Sequence, residues 1–65
     1  MIIKVNAEDI VVDENMTVAA LLKSLGYPDR GIAVAVDQAV VPRSRWATAL
    51  SDGASIDVVT AVQGG

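Results

Sequence analysis

The sequence contains no cysteine and no histidine among its 65 residues. Without cysteine it can form no disulfide and offers neither a thiolate nucleophile nor a thiolate metal ligand. Without histidine it lacks the commonest general base and the commonest metal ligand. We therefore expect no metal site, and we expect any reactive group that the protein handles to be carried elsewhere than on a side chain.

Positive charge is also scarce. Five Lys and Arg residues stand against eight Asp and Glu residues, which gives a formal net charge of -3 at pH 7. A nucleic-acid partner is not expected, because phosphate contacts require clustered Lys and Arg. An acidic surface favours docking on a basic partner surface, although mild acidity is also an ordinary way to keep a protein soluble.

No apolar run approaches the roughly 20 residues of a membrane helix. The first residues also lack the basic stretch and apolar core of a signal peptide. The sequence therefore predicts a cytoplasmic protein that does not bind membranes and is a monomer when free. Hydrophobic residues make up 52% of the chain but aromatic residues only 3%, which favours one domain, residues 1–65, with an aliphatic, β-rich core.

The apolar pattern predicts several short strands and one helix. Thr17 is placed to cap the helix, and Gly26 is placed to end it. The face of the helix that the spacing predicts to be buried comprises Val18, Leu21, Leu22 and Leu25. The predicted strands are 2–5, 10–12, 32–36, 39–41 and 55–62, with turns at 6–9, 37–38 and 51–53. This order predicts an α+β fold, in which a sheet of four to five strands carries the helix on one face.

The last predicted strand leads directly into residues 62–65, Val-Gln-Gly-Gly. Four extended residues reach at most about 14 Å, and two glycines are narrow enough to enter a tight tunnel. The sequence predicts a flexible, extended tail that carries the carboxylate of Gly65 into the active site of another protein. The alternative interpretation is a frayed terminus of small residues.

Alternation along the last strand predicts an apolar patch on the uncovered face of the sheet. Ile56 and Val58 are expected to point toward the helix and Val59 away from it. Val59, Ala61 and Ile2 would then form a surface suited to a partner, although single exposed apolar residues are also common. Trp46 is predicted to be a packing anchor for the loop that follows Pro42.

The chain resembles the ThiS family along essentially its whole length. These proteins are small sulfur carriers of thiamin thiazole biosynthesis, with a ubiquitin-like β-grasp fold. The resemblance is carried by the helix residues Thr17-Val18 and Leu21-Leu22, by Val-Pro-Arg-x-x-Trp at 41–46, by Asp52-Gly53 and by Gly64-Gly65. Two residues depart from the family pattern: Ala7 stands where the first turn usually has Gly, and Ala54 where an acidic residue usually follows Asp-Gly.

The resemblance implies a carrier that partner enzymes act on, rather than an enzyme. A ThiF-type, E1-like adenylyltransferase would use ATP and magnesium to convert the Gly65 carboxylate to an acyl-adenylate. Sulfur from a cysteine persulfide would then displace AMP and leave a thiocarboxylate. The carrier would next dock on a ThiG-type thiazole synthase and give up its sulfur. The chain itself would bind no cofactor, and its partner-binding residues would be Val59, Ala61, Val62, Gln63 and Gly64.

Two other classes of protein remain open at this point. One is another β-grasp carrier, such as the small subunit of molybdopterin synthase, whose approach to the terminal glycines is typically aromatic and proline-rich. Here that approach is Thr60-Ala61-Val62-Gln63, which counts against it. The other is a ubiquitin-like modifier joined to lysines, or a plain interaction domain.

Overall fold

Five strands form one mixed sheet that carries a single α-helix, in a computed structural model that describes residues 1–60. The strands are β1 (Ile2–Val5), β2 (Glu8–Val11), β3 (Ile32–Val36), β4 (Ala39–Val40) and β5 (Ser55–Thr60), and the helix is α1 (Val18–Ser24). The strand order is β2-β1-β5-β3-β4. Strands β1 and β5 are parallel, and the other neighbours are antiparallel. The predicted α+β fold is confirmed, whereas the predicted tail at 62–65 lies outside the described residues.

The first hairpin has a shorter turn than predicted. Asn6 and Ala7 alone form it, with φ values of 49° and 69°, and such two-residue turns match the right-handed twist of the flanking strands. β2 therefore begins at Glu8. The predicted strand and turn are confirmed, but the strand is 8–11 rather than 10–12 and the turn is 6–7 rather than 6–9. Glu8 and Asp9 are polar because β2 is an edge strand with an exposed surface, where charged residues discourage pairing with other chains.

Helix α1 begins where the sequence predicted. Thr17 Oγ1 accepts a hydrogen bond from the Ala20 amide at 3.1 Å, which satisfies one of the unpaired donors of the first turn. Gly26 follows the helix with a φ of 83°, a conformation that favours glycine. Leu25, which was predicted to be buried, is 40% exposed. It is the C-cap residue of a helix of only seven residues, so it lies beyond the last residue of α1.

The side chains buried among residues 1–60 are all apolar. They come from both sides of the interface between helix and sheet and comprise Ile3, Val5, Val18, Leu21, Leu22, Val34, Leu50, Ala54, Ile56 and Val58. Burying one large aliphatic side chain contributes about 1.5–3 kcal/mol. Ala54 lies in this core immediately before β5, so the departure from the family pattern at this position falls on a buried residue. No helix in residues 1–60 is long and apolar enough to cross a membrane.

The loop after β4 is held by Trp46. Its indole Nε1 donates a hydrogen bond to the carbonyl oxygen of Val41 at 3.2 Å, and the ring packs against the core. The Arg43 guanidinium lies 5.6 Å from the centroid of that ring, within the range of a cation–π contact. The prediction that Trp46 anchors this loop is confirmed. β4 ends at Val40, one residue earlier than predicted, although the Val41 amide still donates to the Val34 carbonyl at 2.8 Å.

The strained turn residue Ala7 yields a test of the first hairpin. A left-handed conformation costs an L-residue about 1–2 kcal/mol, and glycine adopts it freely. We therefore expect Ala7→Gly to raise the free energy of unfolding by about 1 kcal/mol in chemical denaturation. The matched control is Ala20→Gly in α1, which should lower it by about the same amount. Equal losses in both variants would contradict the turn geometry.

Candidate functional site

The end of β5 is where the described part of the chain leads toward its last five residues. β5 occupies the centre of the sheet, with β1 on one side and β3 on the other. The register with β3 extends from Val36 opposite Ile56 to Ile32 opposite Thr60, so β5 is paired with β3 as far as Thr60. Ala61, Val62, Gln63, Gly64 and Gly65, five of the six residues predicted for the site, lie outside the described residues.

Two turn residues also bind β5 through their side chains. Asn6, which follows β1, accepts a hydrogen bond on Oδ1 from the Val58 amide at 2.8 Å. Asp37, which follows β3, accepts one on Oδ1 from the Ser55 amide at 3.0 Å. The bond to Val58 is half-buried, where an unpaired donor would be costly, whereas the bond to Ser55, the first residue of β5, is exposed. The last strand is therefore held from both neighbouring hairpins.

Val59, the sixth predicted site residue, lies on the outer face of the sheet, which is the face that α1 does not cover. Its side chain is 62% exposed, whereas Ile56 is fully buried and Val58 is 7% exposed. The predicted alternation along this strand is confirmed. The structure therefore separates β5 into one face that holds the body together and one face that is open to solvent.

An apolar surface surrounds Val59. Ala33 lies directly opposite it on β3, and Ala35 lies two residues further along. Val40, which is 76% exposed, pairs with Ala35 from β4. We call Val59, Ala33, Ala35 and Val40 the Val59 patch. Asp57 shares this face of β5 and is exposed, so the patch has a negative charge beside it.

Ile2 is on the same face but does not belong to the Val59 patch. Its carbonyl accepts a hydrogen bond from the Gly53 amide at 2.8 Å, which places it before the start of β5. Gly53 and Val59 are six positions apart in the chain, about 20 Å in a strand. Ile2 instead pairs with Val11 of β2. The prediction that Ile2 and Val59 form one surface was wrong, because alternation identifies the face of a residue but not its position along the sheet.

Charged side chains in the described residues lie at the surface. Lys4 Nζ and Asp9 Oδ1 form an ion pair at 3.3 Å between side chains that are both more than half exposed. Exposed pairs of this kind contribute little to stability. Within residues 1–60 there is no cluster of acidic side chains that could hold a metal ion. The apolar surface nearest the end of β5 is the Val59 patch.

The strand order with a parallel central pair and one covering helix is that of a ubiquitin-like β-grasp protein. A model of the ThiS family matches residues 2–65. The crystal structure of thiamine biosynthesis protein ThiS from Geobacter metallireducens has a TM-score of 0.81 and 28% identity, with all of both chains covered. An NMR solution structure of a thiamine biosynthesis protein from the same organism has a TM-score of 0.78 and 28% identity, and the match covers all of this chain and 88% of that one.

A curated relative adds a different context. A thiazole synthase from Paramagnetospirillum magneticum is 37% identical over 62 residues, which is 94% of this chain but only 19% of that protein. The chain therefore spans about a fifth of the length of this relative. Because the family model extends over nearly the whole sequence, the chain belongs to the ThiS family.

Sequence reasoning did not identify Asn6 and Asp37 as residues that hold β5. Both are the first residue of a two-residue turn, with φ values of 49° and 50°. Asn and Asp tolerate this left-handed conformation better than most residues and readily bond to nearby backbone. That signal is present in the sequence, but the strand that these side chains reach is distant along the chain.

The two faces of β5 can be compared through neighbouring valines. We expect Val59→Thr to change the free energy of unfolding by less than about 0.5 kcal/mol, because the side chain is exposed. Val58→Thr should cost about 1–3 kcal/mol, because it places a hydroxyl in the apolar core. Both substitutions retain a β-branched side chain, so urea denaturation isolates the effect of burial. A larger loss at Val59 than at Val58 would reverse the assigned faces.

Proposed function

We propose that this protein is a sulfur carrier for thiamin thiazole formation and that the Gly65 carboxylate is its reacting group. The observation that carries the proposal is the position of β5. At Val58, this central strand is held on one side by β3 and on the other by the Asn6 side chain. It leads into a sequence that ends in two glycines. A firmly held strand gives a short segment a fixed starting point, and glycines let that segment pass through a narrow opening.

The chemistry requires activation because a carboxylate is a poor electrophile. Its negative charge repels nucleophiles, and its oxygen is a poor leaving group. In the proposed first step, a carboxylate oxygen of Gly65 attacks the α-phosphorus of magnesium-bound ATP, and pyrophosphate leaves. The product is an acyl-adenylate, and the partner adenylyltransferase supplies the site for ATP and magnesium.

Sulfur transfer follows in two steps. The terminal sulfur of a cysteine persulfide attacks the acyl carbon of Gly65, and AMP leaves with the bonding electron pair. A second thiol then attacks the sulfur–sulfur bond of the resulting acyl disulfide. This releases a thiocarboxylate on Gly65 and forms a disulfide between the two thiol groups, so the thiols supply the two electrons that the cleavage needs.

The proposed consumer of this sulfur is a thiazole synthase. Its support is the thiazole synthase of P. magneticum, which contains a segment similar to nearly all of this chain. The Val59 patch, together with residues 61–64, is the proposed docking surface for both partner enzymes. An apolar surface beside Asp57 suits a partner whose contact region is apolar with basic residues at its rim.

Mass spectrometry tests the reaction. After incubation with a ThiF-type adenylyltransferase, ATP, magnesium, a persulfide donor and a dithiol, we expect the protein to gain the mass of one oxygen-to-sulfur exchange. Fragmentation should place that change on Gly65. The sequence has no cysteine that could carry a persulfide adduct instead. The matched control lacks Gly64 and Gly65 and should keep its original mass. Intact mass before the reaction establishes that Gly65 has a free carboxylate.

The outcomes separate the proposed function from its alternatives. Supplying the thiocarboxylate to thiazole synthase should return the protein to its original mass. Consumption of the sulfur only by a molybdopterin synthase large subunit would assign the protein to that pathway instead. An isopeptide bond between Gly65 and a lysine, with no sulfur exchange, would contradict the carrier function.

A further inference from the structure

The two hairpin turns of the sheet bind β5 in the same manner. In each turn the first residue has a left-handed backbone, and its amide donates to a carbonyl of β5: Asn6 to Ile56 at 2.9 Å and Asp37 to Ser55 at 2.7 Å. In each turn the side-chain oxygen of that residue accepts from an amide of β5: Val58 for Asn6 and Ser55 for Asp37. The two turns therefore provide an internal comparison.

The two contacts differ in where they lie on β5. Asp37 binds at Ser55, where the strand begins, whereas Asn6 binds at Val58, two residues before it ends at Thr60. Disturbing the Asp37 contact affects the part of β5 that is furthest from the C-terminal residues. Disturbing the Asn6 contact affects the part that is nearest to them.

The Asn6 side chain also makes a hydrogen bond that a longer β1 would make through its backbone. Along this edge of β5, the Lys4 amide donates to the Ala54 carbonyl at 2.9 Å, and the Asn6 amide donates to the Ile56 carbonyl. β1 then ends at Val5, and the chain turns away. The Asn6 carboxamide makes the next bond of the series, to the Val58 amide. On this side of β5, the side chain extends the parallel ladder beyond the end of the backbone strand.

We propose that Asn6 is a positioning residue for the reaction at Gly65. By holding Val58, its side chain fixes the direction in which the chain leaves the sheet relative to the Val59 patch. A partner enzyme that docks on the patch then meets the end of β5 at a fixed place, from which residues 61–65 lead to the carboxylate. Orientation of this kind matters because a displacement of about 1 Å can lower a rate 100-fold. The inference rests on the proposed function.

Three variants separate positioning from simple stabilisation. Asn6→Gly retains a residue that favours the left-handed turn but removes the oxygen that binds Val58. Asn6→Asp keeps an acceptor oxygen and tolerates the same backbone, although it loses the Nδ2 donor that lies 3.4 Å from the Tyr27 hydroxyl. Asp37→Gly removes the equivalent side-chain bond at the start of β5. Thermal unfolding curves establish a temperature at which every variant is folded.

The measurement is the steady-state rate of acyl-adenylate formation on the full chain by a ThiF-type adenylyltransferase. We expect Asn6→Gly to lower kcat by about 10- to 100-fold with little change in KM, because the docking surface is intact. Asn6→Asp and Asp37→Gly should remain within about twofold of the unmodified protein. Amide hydrogen exchange at Val58 should be accelerated in Asn6→Gly and not in Asn6→Asp.

Two results would overturn the positioning function. One is an unchanged kcat for folded Asn6→Gly. The other is a fall in rate for Asp37→Gly as large as that for Asn6→Gly, which would mean that the rate follows the general integrity of the sheet. A different result bears on the proposed function: if the unmodified protein forms no adenylate, Gly65 is not the reacting group. The unmodified protein therefore distinguishes failure of the function from failure of the positioning.

Discussion

The parallel pairing of β1 with β5 is the contact on which the rest of the structure depends. It joins the first and last strands of the described chain, with Val5 opposite Ile56, and places β5 at the centre of the sheet. Ile56 is completely buried, with a relative exposure of 0%, and it lies in the apolar core that α1 covers. Closing a loop of about 50 residues costs entropy that grows only slowly with length, so the cost is offset by burial of aliphatic side chains on both strands. Removing this pairing would expose Ile3, Val5 and Ile56 to solvent and leave β5 bonded to β3 on one side only.

A central strand can serve two purposes because its side chains alternate between two faces. Val58 packs in the core while Val59 is exposed to solvent, so the proposed docking at the outer face would not compete with stability. The backbone of the same strand is bonded to β1, β3 and the two turn residues, and it continues into residues 61–65. The proposed docking surface and the proposed reacting carboxylate are thereby parts of one continuous stretch of chain. In the proposed function, the partner enzymes supply the chemistry, and this protein supplies the position of the carboxylate.

Local patterns in the sequence predicted much of this fold. Thr17 and Gly26 marked the ends of the helix region because capping and left-handed conformations depend on residue type within one turn, and the alternation of Val58 and Val59 identified the two faces of β5. The errors concern features set by distant parts of the chain. Glu8 has the polar character of a turn residue because its strand is at the edge of the sheet, and Leu25 is exposed although its spacing continues the buried face of α1, because the helix ends at Ser24. The contact between Asn6 and Val58 spans 52 positions, which no periodicity within a short window could reveal. The predicted site residues from Ala61 to Gly65 remain predictions.

In the proposed function, the folded body determines how efficiently the Gly65 carboxylate reacts. The most direct measurement compares the full chain with a synthetic peptide of residues 55–65 as substrates of a ThiF-type adenylyltransferase. The peptide has the same reacting end but neither the neighbouring strands nor the Val59 patch in its folded form. We predict that kcat/KM for the peptide is lower than kcat/KM for the full chain by at least about 100-fold. Equal values of kcat/KM for the peptide and the protein would contradict it, because the sheet would then contribute nothing to the reaction.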